Sequence, residues 1–205
     1  LQEESDALRA YYEQAGILIA RPAGGTSCRL AISAKGGTNA ENHNHNDVGS
    51  YAVALGSETM VGDQGGPNSY PGDYFNGDAP QKYKIKGSFG HPVPVVDGRT
   101  QSSGGKAKGV VLQKEFTNEK DVFSIDYTSA YSTPNLDKLI RTFVYDRQGE
   151  GNFTVGDEFT AKTPIRFETA ITTRADWKIL DDTHPLLATD SEQMIVAIDA
   201  SGKVA

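Results

Sequence analysis

Apolar and polar residues trade places every second position over much of this chain. Between Cys28 and Ala34, the residues Cys28, Leu30, Ile32 and Ala34 alternate with Arg29, Ala31 and Ser33. Tyr51, Val53 and Leu55 share one face of the next run, Gly56-Ser57 marks a hairpin, and Glu58 to Gly62 returns. Phe123, Ile125 and Tyr127 oppose Ser124, Asp126 and Thr128, while Ile140, Thr142 and Val144 alternate with Leu139, Arg141, Phe143 and Tyr145. A period of two is that of strands with one face buried. The same reading predicts strands over Gly16–Arg21, Val93–Val96, Gly109–Phe116, Val122–Ser129, Leu139–Asp146, Asn152–Phe159, Pro164–Thr173, Trp177–Leu180 and Met194–Asp199. Turn residues recur about every ten positions, as in a sandwich. Strand–helix alternation is absent, which argues against a parallel α/β sheet. Ser5–Gln14 reads as a short helix with Ser5 or Asp6 as its N-cap. The expected fold is all-β: a large antiparallel β-sandwich, supersandwich-like, of roughly a dozen strands, with a minor helix at the N-terminus. Residues 1–14 are expected to be a helical lead-in from an upstream domain, and residues 15–205 the β domain.

Composition changes that picture little. The 205 residues include 22 glycines, and the aromatics are mostly Tyr and Phe, which suits short strands and tight turns. The net charge is -7, which disfavours a nucleic-acid binder. An anionic sugar can still sit in a locally basic groove of an acidic domain. The single Cys28 excludes an internal disulfide, and no apolar run is long enough to span a membrane.

The candidate chemistry is concentrated between Glu41 and Asp97. Three of the four histidines lie there, His43, His45 and His91, with Asp63 between them in a Val-Gly-Asp-Gln-Gly-Gly turn. On a strand, His43 and His45 would project from the same face. Taken singly, each histidine reads as a hydrogen-bonded surface or core residue before it reads as a ligand. Together, two imidazoles and a carboxylate converging from strand ends suit a zinc ion. The stretch Gln64–Phe89 is long for a loop in a compact domain. It carries Tyr70, Tyr74, Phe75 and Tyr83 and the lysines Lys82, Lys84 and Lys86. It reads either as a solvated surface loop or as a sugar platform, whose rings stack on pyranose faces and whose ammonium groups meet carboxylate or sulfate. Asn42, Tyr83, Lys84 and Arg99 are the candidate substrate contacts. His184, in Asp-Asp-Thr-His-Pro, reads as a structural turn residue.

The segment HNHNDVGSYAVALGSETMVGDQGG, followed by SFGHPVPVVDG, resembles the heparinase II/III-like family of polysaccharide lyases. The matching elements are His43, His45 and Asp47, then Asp63, then Tyr70 or Tyr74, then His91 ahead of Val95-Val96-Asp97-Gly98. The resemblance covers roughly residues 15 to 100; the remainder matches only as generic β. One departure is Pro92, where many relatives have Asn after the third histidine. The resemblance implies that His45, Asp63 and His91 ligate a structural Zn²⁺, that His43 faces the substrate cleft, and that Tyr70 or Tyr74 joins it in catalysis. It implies β-elimination on a uronic-acid polysaccharide, glycosaminoglycan or alginate, outside the bacterial cytoplasm, in the periplasm or beyond. It also implies a partner (α/α) toroid in the same chain that supplies further catalytic groups, so that these 205 residues alone would be inactive. Exposed sheet edges leave a homodimer open. Two alternatives stand beside this: a cupin-like metal enzyme, although Asp47 replaces the acid a cupin hairpin needs, and a non-catalytic carbohydrate-binding module.

Overall fold

The structure, a computed structural model, describes residues 7–200. Its strands, in chain order, are β1 (Arg9–Tyr12), β2 (Ile17–Ala20), β3 (Leu30–Lys35), β4 (Thr38–Asn39), β5 (Tyr51–Leu55), β6 (Glu58–Val61), β7 (Val95–Val96) and β8 (Gly104–Lys108). They continue as β9 (Val110–Phe116), β10 (Lys120–Asp126), β11 (Leu136–Asp146), β12 (Asn152–Ala161), β13 (Phe167–Glu168), β14 (Asp176–Asp181), β15 (His184–Ala188) and β16 (Gln193–Ile195). All pairings are antiparallel. Two principal sheets run β1-β2-β3-β5-β6 and β12-β11-β10-β9; a three-stranded sheet β14-β15-β16 and the pairs β13-β7 and β4-β8 flank them. The all-β sandwich is as expected.

The core lies where the alternation places it. Leu18, Ile32, Ala34 and Val53 of the first sheet are buried against Phe123, Leu139, Phe143 and Tyr145 of the second. Aromatic rings bridge the layers: Tyr51 meets Phe143 and Phe153 edge-on at 6.2 and 5.7 Å, and Tyr11 meets Phe123 at 5.8 Å. Fully burying a ring such as Phe123 or Phe143 contributes about 1.5–3 kcal/mol, and the partly buried Tyr11, Tyr51 and Phe153 contribute less.

The N-terminal helix is a correction. Ser5 and Asp6 lie outside the described residues, and Arg9–Tyr12 is β1, paired with β2 from Arg9↔Ala20 to Tyr12↔Ile17. A ten-residue helix is marginal alone. The extended form gains a hydrogen-bonded ladder, packs Tyr11 on Phe116 and Phe123, and joins Arg9 to buried Asp121. Tertiary contacts therefore override helix propensity. Among the described residues the α-helix is a single turn, α1 (Ala79–Lys82), inside the long loop. The strand expected over Pro164–Thr173 shortens to β13. Strands β4, β8 and β15 were not anticipated: Gly-Gly-Lys-Ala-Lys and His-Pro-Leu-Leu-Ala carry little alternation.

Antiparallel pairing brings the start of β5 and the end of β6 to one end of the first sheet. The loop before β5 carries His43 and His45, and the turn after β6 carries Asp63. This end of the sandwich holds the site.

Candidate metal centre and aromatic platform

His45 and His43 stand in a turn, not on a strand. His43 has φ 58°, a left-handed conformation unusual for a non-glycine residue, and Asn44 N–H donates to Glu41 O. The two side chains consequently diverge, which corrects the shared strand face. His43 stacks on Phe75 at 4.4 Å, and His45 turns inward to His91 at 5.1 Å between ring centres.

A buried amide network fixes the segment after His45. Gln101 accepts from Val48 N–H (3.0 Å) and donates to Val48 O (2.7 Å). Asn39 accepts from Asp47 N–H (3.1 Å), and Asn46 donates to Gln101 O (2.9 Å) while its own N–H donates to Lys86 O (2.8 Å). Each of these amide side chains is about as buried as a core leucine, and their saturation makes the loop rigid. Sequence reasoning missed Gln101 and Asn39 as site-forming residues, and it set Lys86 among the ammonium groups that meet the sugar, whereas the structure buries it. Isolated polar residues in weakly patterned stretches offered no signal for the two amides.

The predicted ligands come together. His45 Nδ1 lies 3.0 Å from His91 Nε2 and 3.7 Å from Asp63 Oδ2, and His91 Nδ1 lies 3.5 Å from Asp63 Oδ2. One ligand atom from each lies within 4.8 Å of the others. Ligand bonds of about 2.0–2.2 Å at tetrahedral angles put donor atoms about 3.3–3.5 Å apart; the two short His91 distances run to different ring nitrogens, so the triad reaches that spacing by drawing in from within 4.8 Å. Burial, reinforced at His45 by the neighbouring His91 ring, pulls both imidazole pKa values below the usual range. Neutral imidazole is the metal-binding form. His91 also has the Ile85 carbonyl as a hydrogen-bond partner, and Asp63 accepts from Gly65 N–H, the outer-shell contacts that orient ligands. A Cβ on Gly90 would stand 2.4 Å from the Ile85 carbonyl oxygen, a backbone clash, so glycine lets the chain turn there into His91. Nearby, the Tyr74 hydroxyl is buried without a partner and its pKa is raised, by burial first, then by Tyr70 and Asp63. A filled site gives such an orphan a polar neighbour. A cavity of about 210 Å³ adjoins the cluster, lined by Lys35, Asp47, Ser50, Asp63 and His91 among others.

Above the cluster the long loop forms an aromatic platform. Tyr70 and Phe75 are 55% and 48% exposed, 5.2 Å apart. Tyr74, at 2% exposure, is the platform's buried base, packed on Tyr70, Phe75 and Tyr83. The Tyr70 hydroxyl reaches within 2.8 Å of where a Gly66 Cβ would stand, so that glycine admits it to the Asp63 turn. Lys86 is buried beneath, its ammonium 4.7 Å from the Tyr74 ring and 5.3 Å from Phe75, donating to Tyr74 O. Its burial lowers its pKa. Of the other candidates, Tyr83 and Lys82 both bind Asp73, Lys84 lies 5.9 Å over Phe89, Asn42 is exposed beside His43, and Arg99 closes the Val96–Arg99 turn. His184 begins β15 and bonds Asp181 at 2.9 Å, remote from the cluster in sequence.

No family model matches the sequence, and no curated protein matches it either. Solved structures do. The fold is similar to that of heparan sulfate lyase HepC from Pedobacter heparinus, at 16% identity and a TM-score of 0.71, over 94% of this chain and 29% of that one. A mutant of that lyase matches with 16% identity and a TM-score of 0.67, over 93% of this chain and 30% of the other. The chain thus spans less than a third of the solved lyase chains it matches.

Proposed function

We propose that this chain is the β-sandwich domain of a polysaccharide lyase that cleaves a uronic-acid polymer by β-elimination. The observation that carries the reading is the convergence of His45, Asp63 and His91 beneath an exposed aromatic platform. The likeness to a heparan sulfate lyase supports it.

In β-elimination a base removes the proton at C5 of the uronate, the electrons form the C4–C5 double bond, and an acid protonates the oxygen leaving C4. That proton becomes acidic only when the neighbouring carboxylate is neutralised by donors. His43, exposed and held on Phe75, and Tyr70, exposed beside the Asp63 turn, are the groups of this chain that reach the substrate. Tyr70 and Phe75 stack on the sugar, and His43 donates to or takes a proton from it. A zinc ion, when bound, would supply a fixed positive charge joining three loops. The chain's own part is to hold His45 and His91 neutral and within ligand distance. The remaining catalytic groups come from an (α/α) toroid domain of a longer lyase chain, which works in the bacterial periplasm or outside the cell.

Metal analysis tests the reading. Purified chain should hold about one zinc per molecule, and a chelator should lower its melting temperature. At free zinc a thousandfold above Kd, binding stabilises the fold by about 4 kcal/mol. Absence of stoichiometric metal together with an unchanged melt under chelation overturns it. A carbohydrate-binding module is the second reading, favoured by the exposed Tyr70–Phe75 pair. Oligosaccharide binding that survives substitution of His43 and His45 would select it.

A further inference from the structure

Arg141 projects from β11, in the sheet opposite the one whose end bears the site, and its side chain is 1% exposed. Its Nε and Nη2 donate to the two Asp157 oxygens at 2.8 and 2.6 Å. Its Nη1 donates to two main-chain carbonyls, Gly49 and Pro92, each at 2.8 Å. Gly49 ends the segment that begins at His45, and Pro92 is the residue after His91. One guanidinium nitrogen thus joins the two histidine loops. Gly49 is held in its own pose: its φ is +86°, and a Cβ there would press on the Tyr127 ring at 3.2 Å.

We propose that Arg141 is a positioning residue that sets the spacing of His45 and His91, and through it the affinity for metal. This rests on the metal reading above. The geometry requires a planar fork. The carboxylate fixes the guanidinium plane from one edge, and the other edge presents two N–H vectors to two carbonyls. A lysine carries the same charge but cannot hold Asp157 side-on and reach both carbonyls. Loss of the fork leaves two buried loop carbonyls without this donor, and nothing in a sheet ladder replaces it, because neither loop is a strand.

Arg147 is the natural control. It follows on from the same strand, six residues and about 20 Å along, and is as buried. It pairs with Asp121 and donates to Arg21 O (2.7 Å) and Leu8 O (3.0 Å), at the end of the sandwich away from the histidines. The test measures zinc affinity, by competition with a chelating indicator, and metal-free thermal unfolding for the wild-type chain, R141K, D157N and R147K. Substitutions in the shell around metal ligands typically weaken affinity by about 10–100-fold. R141K should bind zinc at least about tenfold more weakly, D157N more weakly by a smaller factor, and R147K within about twofold of wild type although it melts lower. R141K within twofold of wild type overturns the proposal, as does an equal loss in R147K. If R141K does not fold, D157N decides, and wild-type affinity there overturns it. A wild-type chain that takes up no zinc overturns the metal reading and this one together; a wild-type chain that binds, with R141K unchanged, overturns this one alone.

Discussion

The two ends of the sandwich carry the same device in different service, one held from the middle of β11 and the other from the residue just past it. At one end Arg147 pairs with buried Asp121 and gathers the carbonyls of Leu8 and Arg21, which flank β1 and β2. At the other Arg141 pairs with Asp157 and gathers Gly49 and Pro92. Both arginines alternate inward with Leu139, Phe143 and Tyr145. They differ in what they hold. Arg147 ties together segments that a β-ladder already joins, and its Nη1 has no partner. Arg141 uses all three nitrogens and ties loops that have no ladder. A buried arginine is therefore redundant bracing at one end and the main brace at the other.

Removing one partner of a buried ion pair costs about 3–5 kcal/mol, because the other charge stays buried. Arg141→Met and Arg147→Met should both fall in that range, a drop of roughly 10 °C in melting temperature for a chain of this length. Calorimetric unfolding at matched metal content measures it. Zinc uptake should separate the pair, surviving in the Arg147 variant and failing in the Arg141 variant. Equal melting losses with equal zinc affinities would break the distinction between the ends.

Gly90→Ala sharpens it at the site end alone. The new methyl would meet the Ile85 carbonyl, which cannot withdraw without disturbing the ring of His91 that it contacts. Overpacking of this kind costs about 1–3 kcal/mol. Zinc affinity should fall with stability, whereas Gly24→Ala, which meets nothing within 4 Å and lies in another loop, should change neither.

The difference between the ends also explains what the sequence disclosed. The inter-sheet core was readable because Leu139, Phe143 and Tyr145 repeat with the period of the pleat, and Arg141 was seen on that face as one more alternating position. What the alternation could not show is that a charge there reaches across the core to two loops. The candidate ligands His45, Asp63 and His91 were singled out by residue type and by motif, which need no geometry, and the structure brings the three together. The turn at His43 was misread as strand because its left-handed residue is a histidine, not the glycine that usually announces φ > 0. β1 was misread because Ser-Asp followed by Ala-Leu-Arg-Ala favours helix locally, and the β2 ladder together with Phe116, Phe123 and Asp121, more than a hundred residues on, decides otherwise.

Phe75→Ala probes the platform without touching either brace. Phe75 is half exposed, so its loss should cost no more than about 1 kcal/mol of stability, the value of one aromatic contact. It should leave zinc affinity unchanged and free the ring of His43. Binding of an unsaturated uronate oligosaccharide, followed by titration calorimetry, should weaken about fivefold, consistent with the loss of one stacking surface of that size. Unchanged binding would place the sugar elsewhere.

The smallest effect tests whether a histidine–carboxylate contact outside both braced ends is indifferent to them. Asp181, the last residue of β14, is exposed. Its pKa falls to about 2, through the Thr183 backbone N–H first, then the His184 ring and the Thr183 hydroxyl. Because the folded value lies below the ordinary one of 3.8, the stabilisation it brings is complete above pH 3.8 and disappears as pH falls through about 2. Carboxyl-carbon NMR titration should return that low value in the wild-type chain and an intermediate one in His184→Ala, where the largest contribution, the Thr183 N–H, remains. In Arg141→Lys and Arg147→Lys the Asp181 value should not move, since its partners all lie within its own turn. A shift in either would mean that the braces reach the β14–β15 hairpin, and that the sandwich ends are coupled rather than separate.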